Sequence, residues 1–183
     1  KDRVEIIVIS DGSTDRTDEI IKGYAARGVR LIRQELRQGK TAALNRAVTE
    51  AKGEIVVFSD SNSIYSKSAL KELVSNFSDP TVGYVTGKMV YVNGDGSVTG
   101  DGCSAYMKYE NWLRGVETSI GSIVGVDGGI DAVRKRLFSP MQPDQIPDFI
   151  LPLKVIEKGY RVVYYPAALL NENSLGKSSD EYR

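Results

Sequence analysis

The sequence predicts an α/β fold, a mostly parallel sheet covered by helices, from two observations. Apolar runs alternate with stretches of helical spacing, giving the order β-α-β-α-β-α from Val4 to Phe77. Such alternation argues for parallel strands joined by right-handed crossovers. Within it, Ile55–Phe58 is an unbroken β-branched and aromatic run, too short for an ordinary helix. Runs of that kind suit a strand buried on both faces. A chain of 183 residues with 41% hydrophobic content is sized for one domain with a real core.

Each element has its own signal. Val4–Ile9 reads as a strand that ends at Ser10-Asp11-Gly12-Ser13-Thr14-Asp15, a cluster of turn and cap residues. A helix is expected over about Asp15–Ala26, acidic in its first turn as the macrodipole prefers, and closed by Gly28. Val29–Arg33 is a short strand. After Gln38-Gly39-Lys40, the apolar positions Leu44, Ala47, Val48 and Ala51 recur at helical spacing until Gly53. Ile55–Phe58 follows, and then a helix over Ser66–Phe77 that Asp79-Pro80 breaks. Val82–Val92 is a longer strand with a turn signal, Asn93-Gly94-Asp95-Gly96, behind it. Cys103–Thr118 is aromatic-rich and helical in pattern, with Tyr106, Tyr109 and Trp112 read as packing residues. Val124–Gly129 is apolar then glycine-rich, and Ile130–Leu137 reads as a basic helix. Ser139–Pro147 is a loop, Asp148 opens a last helix with Pro152 assigned to its first turn, and Tyr160–Tyr165 is a strand before a polar tail from Glu172. No internal repeat or linker is visible, so residues 1–183 form one domain.

Composition removes several function classes. Lys plus Arg and Asp plus Glu are both 24, which gives no basic face for nucleic acid. The chain has no histidine, which excludes imidazole-dependent triads, histidine acid–base chemistry and the usual zinc sites. Cys103 is alone, so no intrachain disulfide forms and nothing marks an oxidising compartment. The expected location is cytoplasmic, with membrane association an added expectation for a full-length protein. The chain opens on Lys1 and runs straight into a strand, as a fragment would.

The chemistry gathers at strand ends. Asp11 and Asp60 both stand at carboxyl ends of strands expected to be parallel, the side on which open α/β sheets bind ligands. Asn62 is two residues beyond Asp60, and an aspartate with a nearby amide oxygen suits one hard cation, which in turn holds phosphates. Lys40 opens a helix on the same rim, a natural seat for an anion. Each has a plainer reading beside it. Asp11 can shape an Asx-turn, Asp60 to Asn62 can cap a helix, Lys40 can be solvated, and Asp148 can be an N-cap. Asn45 reads as solvated or locally bonded rather than as a ligand.

In order, these residues resemble a family. Ile7-Val8-Ile9-Ser10-Asp11-Gly12-Ser13-Thr14-Asp15 is similar to the strand and loop that open the nucleotide site of family 2 glycosyltransferases. Gly39-Lys40-Thr41-Ala42-Ala43-Leu44-Asn45 is similar to that family's next block. Asp60-Ser61-Asn62 stands where its Asp-x-Asp metal motif falls, and Asp148-Phe149 with Gly159-Tyr160-Arg161-Val162 matches its catalytic-base motif and the strand after it. The resemblance spans about Val4–Ala167. It implies a GT-A fold, a three-layer α/β sandwich around a mixed, mostly parallel sheet of the nucleotide-diphospho-sugar transferase type. It also implies metal-dependent transfer of a sugar, with inversion, from a nucleotide-diphosphate sugar to an acceptor hydroxyl. The implied cofactor is manganese or magnesium, and the implied acceptor is a glycan or a lipid-linked sugar. Carried over residue by residue, Asp11 meets base or ribose, Lys40 lies near the nucleotide and Asp60 binds ribose or metal. Asn62 takes the second metal-facing position, and Asp148 is the base. Residues 1–93 form the nucleotide part and 94–183 the acceptor part.

Departures from the pattern are visible too. Asn62 is neutral where a carboxylate is usual, Pro147 replaces an acid before Asp148, and Ser10 stands where an aspartate is common. The family's first strand and helix have no counterpart before Val4, so the fold is expected in an N-terminally truncated form. In the family that strand lies between the strands matching Val4–Ile9 and Ile55–Phe58. Those two are therefore expected to pair directly, to leave a gap, or to recruit a strand from another copy and so form a homo-oligomer. Two alternatives stand beside this one: a sugar-phosphate nucleotidyltransferase, whose glycine-rich loop is not found, and a non-catalytic nucleotide-binding or assembly module.

Overall fold

The computed structural model describes residues 4–92 and 101–173. Strand β1 (Ile6–Asp11) ends on Asp11, and α1 (Thr17–Gly23) follows, its start bonded by the Thr17 N–H to Asp15 Oδ1 at 3.0 Å. A single 3-10 turn, Ala25–Arg27, closes on Gly28 at φ 88° and leads into β2 (Val29–Gln34). Helix α2 (Lys40–Glu50) then runs to β3 (Ile55–Ser59), as the pattern of Leu44, Ala47 and Val48 requires. A short strand absent from the sequence reading, β4 (Ser63–Tyr65), precedes α3 (Ala69–Ser75). After β5 (Val82–Val92) come α4 (Asp101–Ile120), β6 (Ile130–Arg134), α5 (Pro147–Glu157) and β7 (Arg161–Asn173). The turn expected at Asn93–Gly96 and the end of the polar tail lie outside the described residues.

The main sheet has the order β3-β6-β5-β7-β4. Strands β5 and β7 are parallel, whereas β6 runs antiparallel to both β3 and β5, and β4 antiparallel to β7. One face packs Ile130, Ala132, Val85 and Leu170 against Ala69 and Leu73 of α3. The other packs Val133, Tyr84, Val162 and Tyr164 against Leu151 and Val155 of α5. The result is three layers, each strand contributing alternate residues to the two cores.

Strand β6 corrects the sequence reading of Ile130–Leu137 as a basic helix. Its first four residues are buried in the middle of the sheet, and only Lys135–Leu137 turns, in one 3-10 turn. The basic residues suggested a solvated helix face. In the structure Arg134 instead reaches back to cap carbonyls, Val82 O at 2.8 Å and Phe77 O at 2.7 Å. Pro152 also departs from expectation. It lies inside α5, beyond the first turn, and has no N–H to give the Asp148 carbonyl. The last strand is longer than Tyr160–Tyr165 because it pairs β5 along its length and then β4 through Glu172.

Strands β1 and β2 form a separate parallel pair. Among the described residues β1 pairs with β2 and β3 with β6, and no ladder joins β1 to β3. The direct pairing expected as one outcome for these two strands is not formed: β1 and β3 belong to separate sheets. Val4 and Ile6 are exposed, and β3, a central strand by pattern, is only partly buried. Helix α2 tethers the pair to the rest: Arg30 bridges Glu5 and Glu50, each at 3.1 Å, and the Lys52 N–H donates to Glu5 at 2.9 Å.

Candidate active site

Three of the residues singled out from the sequence converge on one ammonium group. Lys40 Nζ lies 3.1 Å from Asp60 Oδ1 and 3.7 Å from Asp148 Oδ2. Lys40 opens α2, Asp60 follows β3, and Asp148 is in the first turn of α5, so three separate elements meet here. Burial opposes the Lys40 charge, yet the Asp148 and Asp60 carboxylates outweigh it and hold the ammonium above its ordinary range. Burial pushes the Asp148 carboxyl above the usual aspartate range, Lys40 opposing and Asp60 adding to the shift. A carboxylate raised toward neutrality and half-open to solvent is suited to taking a proton.

Asp11 builds the approach to this point. Its Oδ1 accepts the Gln38 N–H at 2.8 Å and its Oδ2 accepts the Gly39 N–H at 2.7 Å. The carboxylate therefore fixes the loop that launches α2, immediately before Lys40. Gly39 has φ 87°, which favours glycine, and α2 starts without a side-chain cap on its first amides. Asn62 stands apart from the three: its Nδ2 donates to Glu172 Oε1 at 2.5 Å on β7. The Asn62 oxygen is still turned away from that bond and free to accept or ligate.

Whether a cation fits is answered by the donor set. The Asp60 side chain is 44% exposed and already holds one cation, the Lys40 ammonium. Asp60 and the Asn62 amide oxygen are hard oxygen donors of the kind that magnesium or manganese takes, sharing its shell with phosphates. Among the described residues no group of three or more acidic, cysteine or histidine side chains forms a closed metal cage. The residues fit an open site completed by a ligand's own oxygens.

Several contributors escaped the sequence reading. Asn45 is not solvated: its Nδ2 donates to Met141 O at 2.7 Å and its Oδ1 accepts the Met141 N–H at 3.0 Å. With Thr41 Oγ1 donating to Gln145 O at 2.9 Å, α2 clamps the loop that delivers Asp148. Gly128 is a second. It has φ 81°, and a Cβ built there would lie 2.3 Å from Asp148 Oδ2, so the carboxylate rests against bare backbone. Asp131, on β6, is a third, hidden by the helical reading of that segment. The Gly128-Gly129 pair is the one signal that pointed here. Beside it, Arg114 of α4 forks onto Asp127 at 2.5 and 2.7 Å, and Tyr164 Oη donates to Asn111 at 2.8 Å. These bonds turn the polar face of α4 inward. Trp112 is consequently 62% exposed, and Tyr106 and Tyr109 are exposed with it, not packed as the sequence suggested.

A cavity of about 620 Å³ lies elsewhere, lined by Lys22, Val29, Arg30 and Arg33 at the outer edge of β2. It shares no residue with the Lys40 cluster. No helix among the described residues is long and apolar enough to cross a membrane.

Comparison with known proteins agrees with this fold. Among solved structures, the chain is similar to a mannosyltransferase from Pyrobaculum calidifontis in complex with GDP-Man and Mn2+. The TM-score is 0.81 at 24% identity, over 97% of this chain and 50% of that one. The Staphylococcus aureus TarS 1–349 structure with UDP-GlcNAc gives a TM-score of 0.69 at 18% identity, over 99% of this chain and 52% of that one. Both likenesses concern the fold, a GT-A type α/β sandwich. By sequence the chain is 25% identical over 180 residues to the probable glycosyltransferase YdaM of Bacillus subtilis. It is 26% identical over 174 residues to a poly-beta-1,6-N-acetyl-D-glucosamine synthase of Staphylococcus aureus. These alignments take in 92% of this chain but only 43% and 42% of those proteins, so the chain spans less than half their length. The profile of Glycosyl transferase family 2 matches residues 1–139, and the chain belongs to that family.

Proposed function

We propose that this domain transfers a sugar from a nucleotide-diphosphate sugar to an acceptor hydroxyl with inversion. The observation that carries this reading is the Lys40 ammonium held between Asp60 and Asp148. One carboxylate lies on the side from which the nucleotide enters and the other on the side left for an acceptor. Asp11, Lys40, Asp60 and Asn62 all come from residues 1–93, the nucleotide part, and Asp148 comes from 94–183, the acceptor part.

Direct displacement needs little else. Asp148 takes the proton of the acceptor hydroxyl as its oxygen bonds to the anomeric carbon of the donor. The bond from that carbon to the diphosphate breaks, and its electron pair leaves with the diphosphate. Lys40 and the first amides of α2 offset that departing charge. Asp11 holds the loop against which base and ribose lie. A divalent cation, magnesium or manganese, held by Asp60 and Asn62 would supply further charge to the leaving diphosphate. One base and no covalent intermediate suffice, so the lack of histidine is no obstacle.

The proposed acceptor is a glycan or lipid-linked sugar, in keeping with the polysaccharide-synthase relative, and the proposed location is the cytoplasmic side, membrane-associated in the full-length protein. The metal site is tested by calorimetry of UDP-sugar and manganese on the full-length protein. Asp60→Ala is expected to weaken that binding at least tenfold, one charged contact being about 1.5–3 kcal/mol. Unchanged binding removes Asp60 from the metal site.

The open edges of β1 and β3 lead to a further proposal, that the 183-residue chain self-associates through the gap. Unpaired backbone groups within a sheet cost on the order of 1–3 kcal/mol each, and a strand from a second copy would satisfy them. Sedimentation should show a dimer or larger species at micromolar concentration. A purely monomeric mass excludes recruitment.

A further inference from the structure

Beneath the Lys40 cluster lies a carboxyl group that the mechanism above does not use. Asp131 is 1% exposed, and neither of its oxygens has a hydrogen-bond partner. It sits in β6 directly opposite Phe58 of β3 on one side and Thr86 of β5 on the other. Thr86 is fully buried and its Oγ1 is likewise unpartnered. Leaving three buried polar atoms unsatisfied in mid-sheet is costly, and an apolar pair at these positions would spare the fold that cost. Nothing in the two cores requires the pair. Its place does suggest a use, since Asp131 follows by three residues the Gly128 on which the Asp148 carboxylate rests.

The groups around Asp131 can be named element by element. Tyr84 and Thr86 face it from β5, and Tyr65 acts on it from β4. Asp148 acts from α5, Asp127 from the segment before β6, and Lys40 from α2. Phe58 on β3 adds only apolar surface. A buried carboxyl that feels the charge of a second carboxylate does not ionise easily, and the two environments decide which keeps the proton. Asp148 touches solvent and the Lys40 ammonium; Asp131 has neither.

We propose that Asp131 is a positioning residue for the transfer, the proton-holding member of a like-charge pair whose charged member is Asp148. The proposal rests on the reading of Asp148 as base. Neutral Asp131 leaves one negative charge on the acceptor side, so the base is free when the acceptor arrives. Burial first, and then the charges of Asp148 and Asp127, push Asp131 up to about 7, against the Thr86 hydroxyl. Above that pH a second charge appears beside Asp148, draws on the Lys40 ammonium that offsets the donor diphosphate, and weakens donor binding. The donor KM therefore rises on the alkaline side while kcat changes little.

The test is a carboxyl titration followed by carbon-13 NMR on the full-length protein labelled at aspartate, from acid to mildly alkaline pH. Asp131 is expected to titrate at about 7 and to move down when Asp148→Asn removes the neighbouring charge. Titration in the usual aspartate range, or no response to Asp148→Asn, overturns the pairing. Donor KM with UDP-N-acetylglucosamine gives a second readout. It should rise about tenfold across the transition, the coupling of one pKa unit, and Asp131→Asn should remove the rise. Thr86→Val, close in shape, should carry the rise to higher pH by removing a hydroxyl dipole that lies opposite the ionised carboxyl. A rise that ignores both substitutions overturns the role. Carboxyl coupling without any turnover overturns the transferase reading and the role of Asp131 with it.

Discussion

Asp148→Asn is expected to abolish sugar transfer while leaving donor binding largely intact. The asparagine keeps the shape of the side chain but cannot accept the acceptor's proton, and the loss of a general base is worth about 10²–10⁴-fold in rate. Lys40 keeps Asp60 at 3.1 Å, so the donor side of the site survives. Instability is not the expected cause of such a loss. The folded protein raises Asp148 above its unfolded value, so this group's stabilising contribution is complete only at acid pH and disappears as pH rises through the folded value. At neutral pH the variant should therefore melt no lower than the wild type. The same shift sets the acid limb of the wild-type profile: activity should fall as Asp148 is protonated, at a pH above the ordinary aspartate range. Single-turnover rates, calorimetric donor binding and thermal melts check the three statements together. Retained turnover would remove Asp148 as base.

Gly128→Ala is expected to have the second-largest effect, for a reason of space and backbone. The added methyl would meet the Asp148 carboxylate at 2.3–2.7 Å, closer than any real contact. Gly128 also has φ 81°, where a residue with a Cβ costs about 1–2 kcal/mol. Either the backbone or Asp148 must move. A displacement of about 1 Å at a reacting group can cost on the order of 10²-fold in rate. We expect turnover to fall by about that much, with a modest fall in melting temperature and little change in donor affinity. Gly159→Ala is the control: it has φ 82° but nothing within 4 Å of its Cβ, so it should lower stability and spare the rate. Equal rates for the two variants would show that Gly128 does not seat the base.

Much of the site was legible in the order of residues, and the reasons are local. A strand ending in Asp11, a helix opening on Lys40 and a strand followed by Asp60 are each set by neighbours in sequence, since turn, cap and periodicity signals act over a few residues. Asp148 was legible as the head of a helix for the same reason. Asn62 was legible as an oxygen donor, but its bond to Glu172 comes from a strand far along the chain. Asp131 was misread with the rest of Ile130–Leu137, because basic residues resemble a solvated helix until the strands on either side are known. Asn45 looked exposed because nothing near it in sequence reveals that Met141 will lie against it. Trp112 looked buried because its apolar character says nothing of which helix face Arg114 and Asn111 will turn inward.

The sequence by itself determined the alternation of strands and helices and placed acidic and basic side chains at their ends. Tertiary structure alone decided that β6 lies inside the sheet, that β1 and β3 belong to separate sheets, and that Lys40 meets Asp60 and Asp148 together. The division has a physical cause. Local signals state which backbone conformation is cheap, whereas pairing, burial and charge coupling depend on groups brought together from distant parts of the chain.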